Sequence, residues 1–109
     1  MNDAFRFALE GTDEEPVLVL KGNLDQSADP AALDLLRSVV EALPAGAWTI
    51  DATGVAFADS TAIRVLIDLG RLIDPASQLR VVARPTLTRL IDLVCMPGRF
   101  TLEADAIAV

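Results

Sequence analysis

The fold depends on one stretch in the middle of the chain, Phe57-Ala58-Asp59-Ser60-Thr61-Ala62-Ile63-Arg64-Val65-Leu66. The run before it, Trp48 to Ala52, predicts a strand, and the long apolar run after it predicts a helix. Small polar residues therefore lie where a strand becomes a helix, and there the first four backbone N–H groups need partners. These N–H groups and the helix dipole also tolerate an anion. A hydroxyl at this junction is either a plain helix cap or a place that can carry a phosphate.

Two strands are predicted near the start of the chain. Apolar residues alternate through Phe5-Arg6-Phe7-Ala8-Leu9, which predicts a strand with one buried face. The polar segment from Glu10 to Glu15 predicts a turn. The continuous apolar run from Pro16 to Lys21 predicts a strand that is covered on both faces. We expect these two strands to form a hairpin, followed by a loop from Gly22 to Ser27.

Helices and strands alternate through the rest of the chain. Asp29 and Pro30 are typical of a helix start, as the cap and the first helical residue, and Pro44-Ala45-Gly46 is typical of a helix end. The further predicted elements are a helix from about Ser60 to Asp74, a strand at Gln78–Ala83, a helix from Pro85 to about Met96, a short strand at Phe100–Leu102 and a helical turn in the tail.

The helix that begins near Ser60 is apolar around most of its circumference. At 100° per residue, its polar residues fall within one arc about 80° wide: Thr61, Arg64, Asp68 and Arg71. The opposite side, which includes Leu66 and Leu69, is predicted to pack on the sheet. Ile63 and Ile67 flank the polar arc on the side of Ser60, and we expect both to be half exposed.

The alternation of strands and helices predicts an α/β fold. Strand–helix–strand units require parallel strands joined by right-handed crossovers, and the initial hairpin makes the sheet mixed. We therefore expect a two-layer sandwich, with a mixed, mainly parallel sheet of about four or five strands and helices on one face. Residues 1–109 are predicted to form a single domain, which at this length can bury a core without disulfides.

Composition argues against several classes of function. The net charge of −7 argues against nucleic acid and anionic membrane surfaces. Histidine, the commonest general base and metal ligand, is absent, and no glycine-rich fingerprint follows a strand. We therefore expect no enzyme activity, no metal and no cofactor. The chain has no apolar run near the roughly 20 residues that span a bilayer, and it has no signal-peptide pattern. Its lone cysteine, Cys95, fits a reducing compartment. We therefore expect a cytoplasmic protein.

Three segments resemble the STAS domain, in particular the bacterial anti-sigma-factor antagonists. The run Val55–Leu66 is similar to the family motif of an apolar residue, any residue, Asp-Ser-Ser/Thr-Gly-Leu and an apolar helix. Gly22-Asn23-Leu24-Asp25 resembles the family's Gly-Glu-Leu-Asp, and Ile50–Val55 resembles the strand that enters the motif. The order of elements agrees across nearly the whole chain. Ala62 stands where the family usually has glycine.

The resemblance implies a binding module that is switched by a kinase. In that family the serine after the motif aspartate is phosphorylated, which makes Ser60 the expected site and Thr61 the alternative. The expected partners are an anti-sigma factor that is itself a serine kinase and a serine phosphatase. Asp51 matches an acid of the family's strand, with a structural or a functional role. The expected partner-binding residues are Asp25, Asp59, Ser60, Thr61, Ile63, Arg64 and Ile67.

Two other functions stay open at this point. STAS domains also occur as accessory subunits of transporter ATPases and of stress-signalling assemblies, where the motif hydroxyl belongs to a docking surface and carries no phosphate. Some α/β sandwiches instead hold a small molecule at a helix N-terminus, although no pocket-lining pattern in this sequence supports that function.

Overall fold

The computed structural model describes residues 4–12, 14–43, 46–73, 78–85, 87–89 and 101–104. Pro85 and residues 87–89 are helical, as predicted for the start of a third helix; the rest of that helix, Cys95 and the predicted turn of helix in the tail lie outside the described residues. The elements, in chain order, are β1 (Arg6–Gly11), β2 (Pro16–Leu24), α1 (Pro30–Glu41), β3 (Ala47–Ala58), α2 (Ser60–Leu72), β4 (Gln78–Ala83) and β5 (Thr101–Ala104).

The described strands form one five-stranded sheet in the order β1-β2-β3-β4-β5. β1 and β2 pair antiparallel, as the predicted hairpin requires, whereas β2, β3, β4 and β5 pair with one another in parallel. A parallel pair needs a long connection between its strands, and α1 and α2 provide it for β2–β3 and β3–β4. The predicted mixed, mainly parallel sheet is therefore confirmed.

One face of the sheet carries the hydrophobic core. Leu18 of β2, Ile50 of β3 and Val81 of β4 are fully buried, and they belong to one cluster with Leu36 of α1 and Leu66 of α2. Since side chains alternate between the two faces of a strand, these residues all point the same way. The two-layer arrangement with helices on one face is confirmed.

The opposite face of the sheet is only partly covered. Val19 is buried, but Val17 is half-buried and Lys21 and Arg80 are exposed. The prediction that β2 is covered on both faces is therefore wrong for most of the strand, because α1 and α2 pack on the other face.

β3 is longer than the sequence predicts. The strand formers end at Ala52, yet β3 continues to Ala58 and stays paired with β2 over this extension. Two register shifts in the β2–β3 pairing accompany the extension, and one of them follows Gly22. Gly22 has a φ of +88°, in a region that residues with a Cβ atom rarely adopt.

Both long helices begin at an aspartate. The Asp29 carboxylate accepts the Ala31 backbone N–H at 2.9 Å, and Pro30 occupies the first turn of α1, as predicted. The Asp59 carboxylate accepts the Thr61 backbone N–H at 2.7 Å at the start of α2. Each aspartate satisfies one unpaired N–H group and places negative charge at the positive end of a helix dipole.

The conformation of Gly22 leads to a test of stability. We expect Gly22→Ala to lower the free energy of unfolding by about 1–2 kcal/mol, because the added Cβ disfavours a positive φ. Gly46→Ala is the control, since Gly46 has no positive φ and its added Cβ would meet only a backbone oxygen at 3.4 Å. Urea unfolding of both variants checks this; equal losses for the two would contradict it.

Asp59 caps α2 and Ser60 does not, and this difference leads to a second test of stability. We expect Asp59→Ala to lower the free energy of unfolding by about 1 kcal/mol, because it removes the cap of α2. Ser60→Ala should change it by less than about 0.5 kcal/mol, since the serine lies exposed in the first turn. Thermal and urea unfolding measure both. A larger loss for Ser60→Ala than for Asp59→Ala would mean that Ser60 is the cap.

Candidate functional site

Two of the predicted site residues, Asp25 and Asp59, follow neighbouring strands at one edge of the sheet. Leu24 at the end of β2 pairs with Ala58 at the end of β3. Asp25 comes directly after Leu24, and Asp59 comes directly after Ala58. The carboxyl ends of neighbouring parallel strands lie at the same edge of a sheet, which is where α/β folds usually place their binding residues. The structure thus brings the loop after β2 beside the start of α2.

Asp59 holds the junction between β3 and α2. Its backbone is extended, with φ −131° and ψ −159°, and its carboxylate accepts the Thr61 N–H. Its carbonyl oxygen accepts the Ala62 N–H at 3.0 Å, which closes the first turn of the helix. The Asp59 side chain is half-buried and serves the cap, so its negative charge stays next to Ser60.

Ser60 is the more accessible of the two candidate hydroxyls. It is exposed, and within the described residues no hydrogen bond holds its side chain. Thr61 is half-buried, and its backbone N–H is bound to Asp59. Because Asp59 provides the cap, the Ser60 hydroxyl is not needed to start the helix.

A groove of about 560 Å³ runs along the outer side of α2. Ile67 is half-buried in it, whereas Ile63 has an exposed fraction of only 9%. The prediction that both isoleucines are half exposed is therefore wrong for Ile63, whose side chain also packs into the core. The described residues that line the groove are Asp59, Ser60, Ile63, Arg64, Ile67, Asp68 and Arg71.

Ala62, the residue that departs from the family motif, does not face the groove. Its side chain is fully buried and belongs to the core cluster. At 100° per residue it lies about 160° around the helix from Ser60. The methyl group that replaces the family glycine therefore packs into the core and leaves the groove open.

Asp25 is fixed by its own loop. Its carboxylate accepts the Ser27 hydroxyl at 2.5 Å and the Ser27 backbone N–H at 2.8 Å. These hydrogen bonds lower the pKa of the Asp25 carboxyl, because they stabilise its ionised form. Asp25 therefore adds a fixed negative charge at the end of β2 and is not among the residues that line the groove.

Asp51 lies apart from the groove. It sits in the middle of β3, where its carboxylate accepts the Thr53 hydroxyl at 2.6 Å and the Thr53 N–H at 3.0 Å. Arg84 in turn donates to the Thr53 carbonyl oxygen at 3.2 Å. Of the two roles that the sequence leaves open for Asp51, these contacts favour the structural one.

Two charged residues of the groove are absent from the predicted partner-binding set, Asp68 and Arg71. The sequence signal is their place in the same polar arc as Arg64. Asp68 is held by a contact between two helices, which the sequence alone does not indicate. Arg37 of α1 donates to Asp68 at 3.2 Å and to Asp34 at 3.1 Å. This bridge joins α1 to α2 and compensates the charge of Asp68.

The described residues were compared with two other kinds of feature, a metal site and a membrane-spanning helix. Within those ranges, no three or more acidic, cysteine or histidine side chains come together in a way that could bind a metal ion. None of the helices there is both long and apolar enough to cross a membrane.

Comparisons with known proteins show the family of this chain and a similar solved fold. The family model described as "Mlab, STAS domain" matches residues 7–94. Among solved structures, an anti-sigma factor antagonist from Mycobacterium paratuberculosis is similar with a TM-score of 0.77 and 26% sequence identity, over 94% of this chain and 88% of that chain. No curated protein sequence matches the chain. The match over residues 7–94 includes both strands that end at the site and the whole of α2, and the chain therefore belongs to the STAS domain family.

Proposed function

We propose that this protein is an anti-sigma-factor antagonist whose docking is switched at Ser60. Unphosphorylated, it binds an anti-sigma factor through the groove on α2 and the adjoining loop, and the sigma factor is released. The anti-sigma factor is a serine kinase that transfers the γ-phosphoryl group of ATP to the Ser60 oxygen, which leaves ADP. A serine phosphatase reverses the step. The protein itself carries out no catalysis and needs no cofactor.

The observation that carries this proposal is an exposed hydroxyl that the fold does not use. Ser60 lies in the first turn of α2 while Asp59 provides the cap, so a kinase can reach the serine without unfolding the helix. The likeness to an anti-sigma factor antagonist supports the choice of partner. The match of the sequence motif at Asp59-Ser60-Thr61 supports the choice of serine.

The charge of a phosphate explains how the switch works. Phosphorylation adds about −1.5 to −2 charges at neutral pH. The folded domain tolerates this charge because free N–H groups and the helix dipole lie at the start of α2. A docked partner would bury the phosphate beside the Asp59 carboxylate and the apolar Ile67, which costs desolvation and like-charge repulsion. The modification therefore acts on docking and leaves the fold intact.

Substitution of Ser60 tests the switch. We expect Ser60→Asp to lose binding to the anti-sigma factor kinase of the source organism, with a melting temperature close to that of the unmodified protein. Ser60→Ala should bind and stay bound when ATP is added, because it cannot accept a phosphoryl group. Calorimetry measures the binding, and mass spectrometry after incubation with kinase and ATP locates the phosphate.

Matched variants make the result specific to this serine. Ser38→Asp places the same charge on an exposed serine of α1 and should bind as the unmodified protein does. Thr61→Val removes the neighbouring hydroxyl and should still be phosphorylated at Ser60. The switch is contradicted if Ser60→Ala binds no better than Ser60→Asp in the presence of kinase and ATP. If protein purified from its native cell carries no phosphate and is bound to a transporter ATPase, the role of an accessory subunit is supported instead.

A further inference from the structure

Along the groove, α2 carries a narrow stripe of polar, apolar and positively charged residues. At 100° per residue, Ser60, Ile67, Arg71 and Arg64 fall within about 60° of one another, so they share one side of the helix. Arg64 and Arg71 are separated by about two turns, or about 10 Å along the helix axis. Ile67 lies between them, half-buried, and Ile63 lies beside it as the floor of the groove.

The two arginines are the uncompensated charges of this stripe. Both are exposed, and within the described residues neither makes an ion pair. Asp68, the acid nearest to them in sequence, is already bound to Arg37 of α1 at 3.2 Å. The groove therefore has positive charge to offer, although the protein as a whole has a net charge of −7.

We propose that the groove receives an acidic segment of the anti-sigma factor, in which carboxylates pair with Arg64 and Arg71 on either side of an apolar residue that contacts Ile63 and Ile67. This inference rests on the proposed function and specifies the chemistry of the partner. On a protein of net charge −7, two arginines on one stripe steer an acidic segment toward that stripe, because complementary charge raises the rate of productive encounter there. The partner's apolar residue adds burial against the isoleucines, which rim charges alone do not supply.

A nucleic acid is the other anionic occupant, and the groove is less suited to it. A nucleic acid backbone needs several cations in a row, and its binding to a protein of charge −7 is opposed over a long range. The groove has two unpaired arginines together with Asp59 and Asp68 at its edges. An acidic protein segment with one apolar side chain matches that mixture better.

The same stripe explains why Ser60 is an effective place for a switch. Ser60 and Arg64 are four residues apart on one helix face, the spacing at which oppositely charged side chains pair. A phosphate of about −1.5 to −2 charges on Ser60 would pair with Arg64 and cancel most of the positive charge of the stripe. The acidic segment would then lose one of its contacts and meet a stripe with little positive charge left.

Charge-removing variants test this docking surface. We expect Arg64→Gln and Arg71→Gln each to weaken binding to the anti-sigma factor kinase at least about threefold, and the double variant about tenfold, since exposed ion pairs contribute modestly. Arg89→Gln is the matched control, because Arg89 is exposed and lies outside the groove. Its affinity should stay within about twofold. Affinity of the unmodified protein should fall as salt rises, and this slope should be shallower for the double variant.

The outcomes separate this inference from the proposed function. If the unmodified protein binds the kinase and is phosphorylated at Ser60 but the double variant binds equally well, the acidic segment is overturned and the proposed function stands. If the unmodified protein binds no anti-sigma factor, both fall. A duplex DNA of about 20 base pairs is the further probe, and competition by it at physiological salt would overturn the assignment to a protein segment. Restored binding between Arg64→Glu and a partner with one glutamate changed to arginine would support it.

Discussion

The hydrogen bond from the Thr61 N–H to the Asp59 carboxylate connects the fold to the function that we propose. Asp59 lies between β3 and α2 and caps the helix, so the first residue of the helix does not have to cap it. That residue is Ser60, and its hydroxyl is exposed at the edge of the sheet where β2 also ends. If Ser60 were the cap, any modification of it would disturb the start of the helix. Because Asp59 caps the helix and Ser60 does not, the phosphorylation that we propose at Ser60 is compatible with a stable domain.

Charge is distributed unevenly in this molecule, and the proposed mechanism depends on that unevenness. The chain has an overall charge of −7, yet the outer side of α2 carries two arginines that no described acid neutralises. Arg37 contributes to this arrangement, because it binds Asp68 as well as Asp34, and among the described residues Asp68 makes no ion pair with Arg64 or Arg71. A small local excess of positive charge is largely cancelled by one phosphate. A strongly basic surface would not respond in this way.

The likeness to known proteins and the departures from them are both informative. The chain belongs to the STAS domain family, and its fold is similar to that of an anti-sigma factor antagonist. The replacement of the motif glycine by Ala62 is accommodated in the core, where its methyl is fully buried. Gly22, in contrast, keeps the glycine of the resembling Gly-Glu-Leu-Asp segment, because its φ of +88° is unfavourable for other residues.

The sequence by itself determined the order of strands and helices, the hairpin, the start of each long helix and the stretch that contains the candidate site. Periodicity and capping residues act over a few neighbours, so they can be recognised without a structure. Only the tertiary structure decided the full length of β3, the burial of Ile63, the partial exposure of one face of β2 and the Arg37–Asp68 bridge. Each of these depends on which segments lie side by side, and residues 31 positions apart in the chain carry no local signal that they will meet.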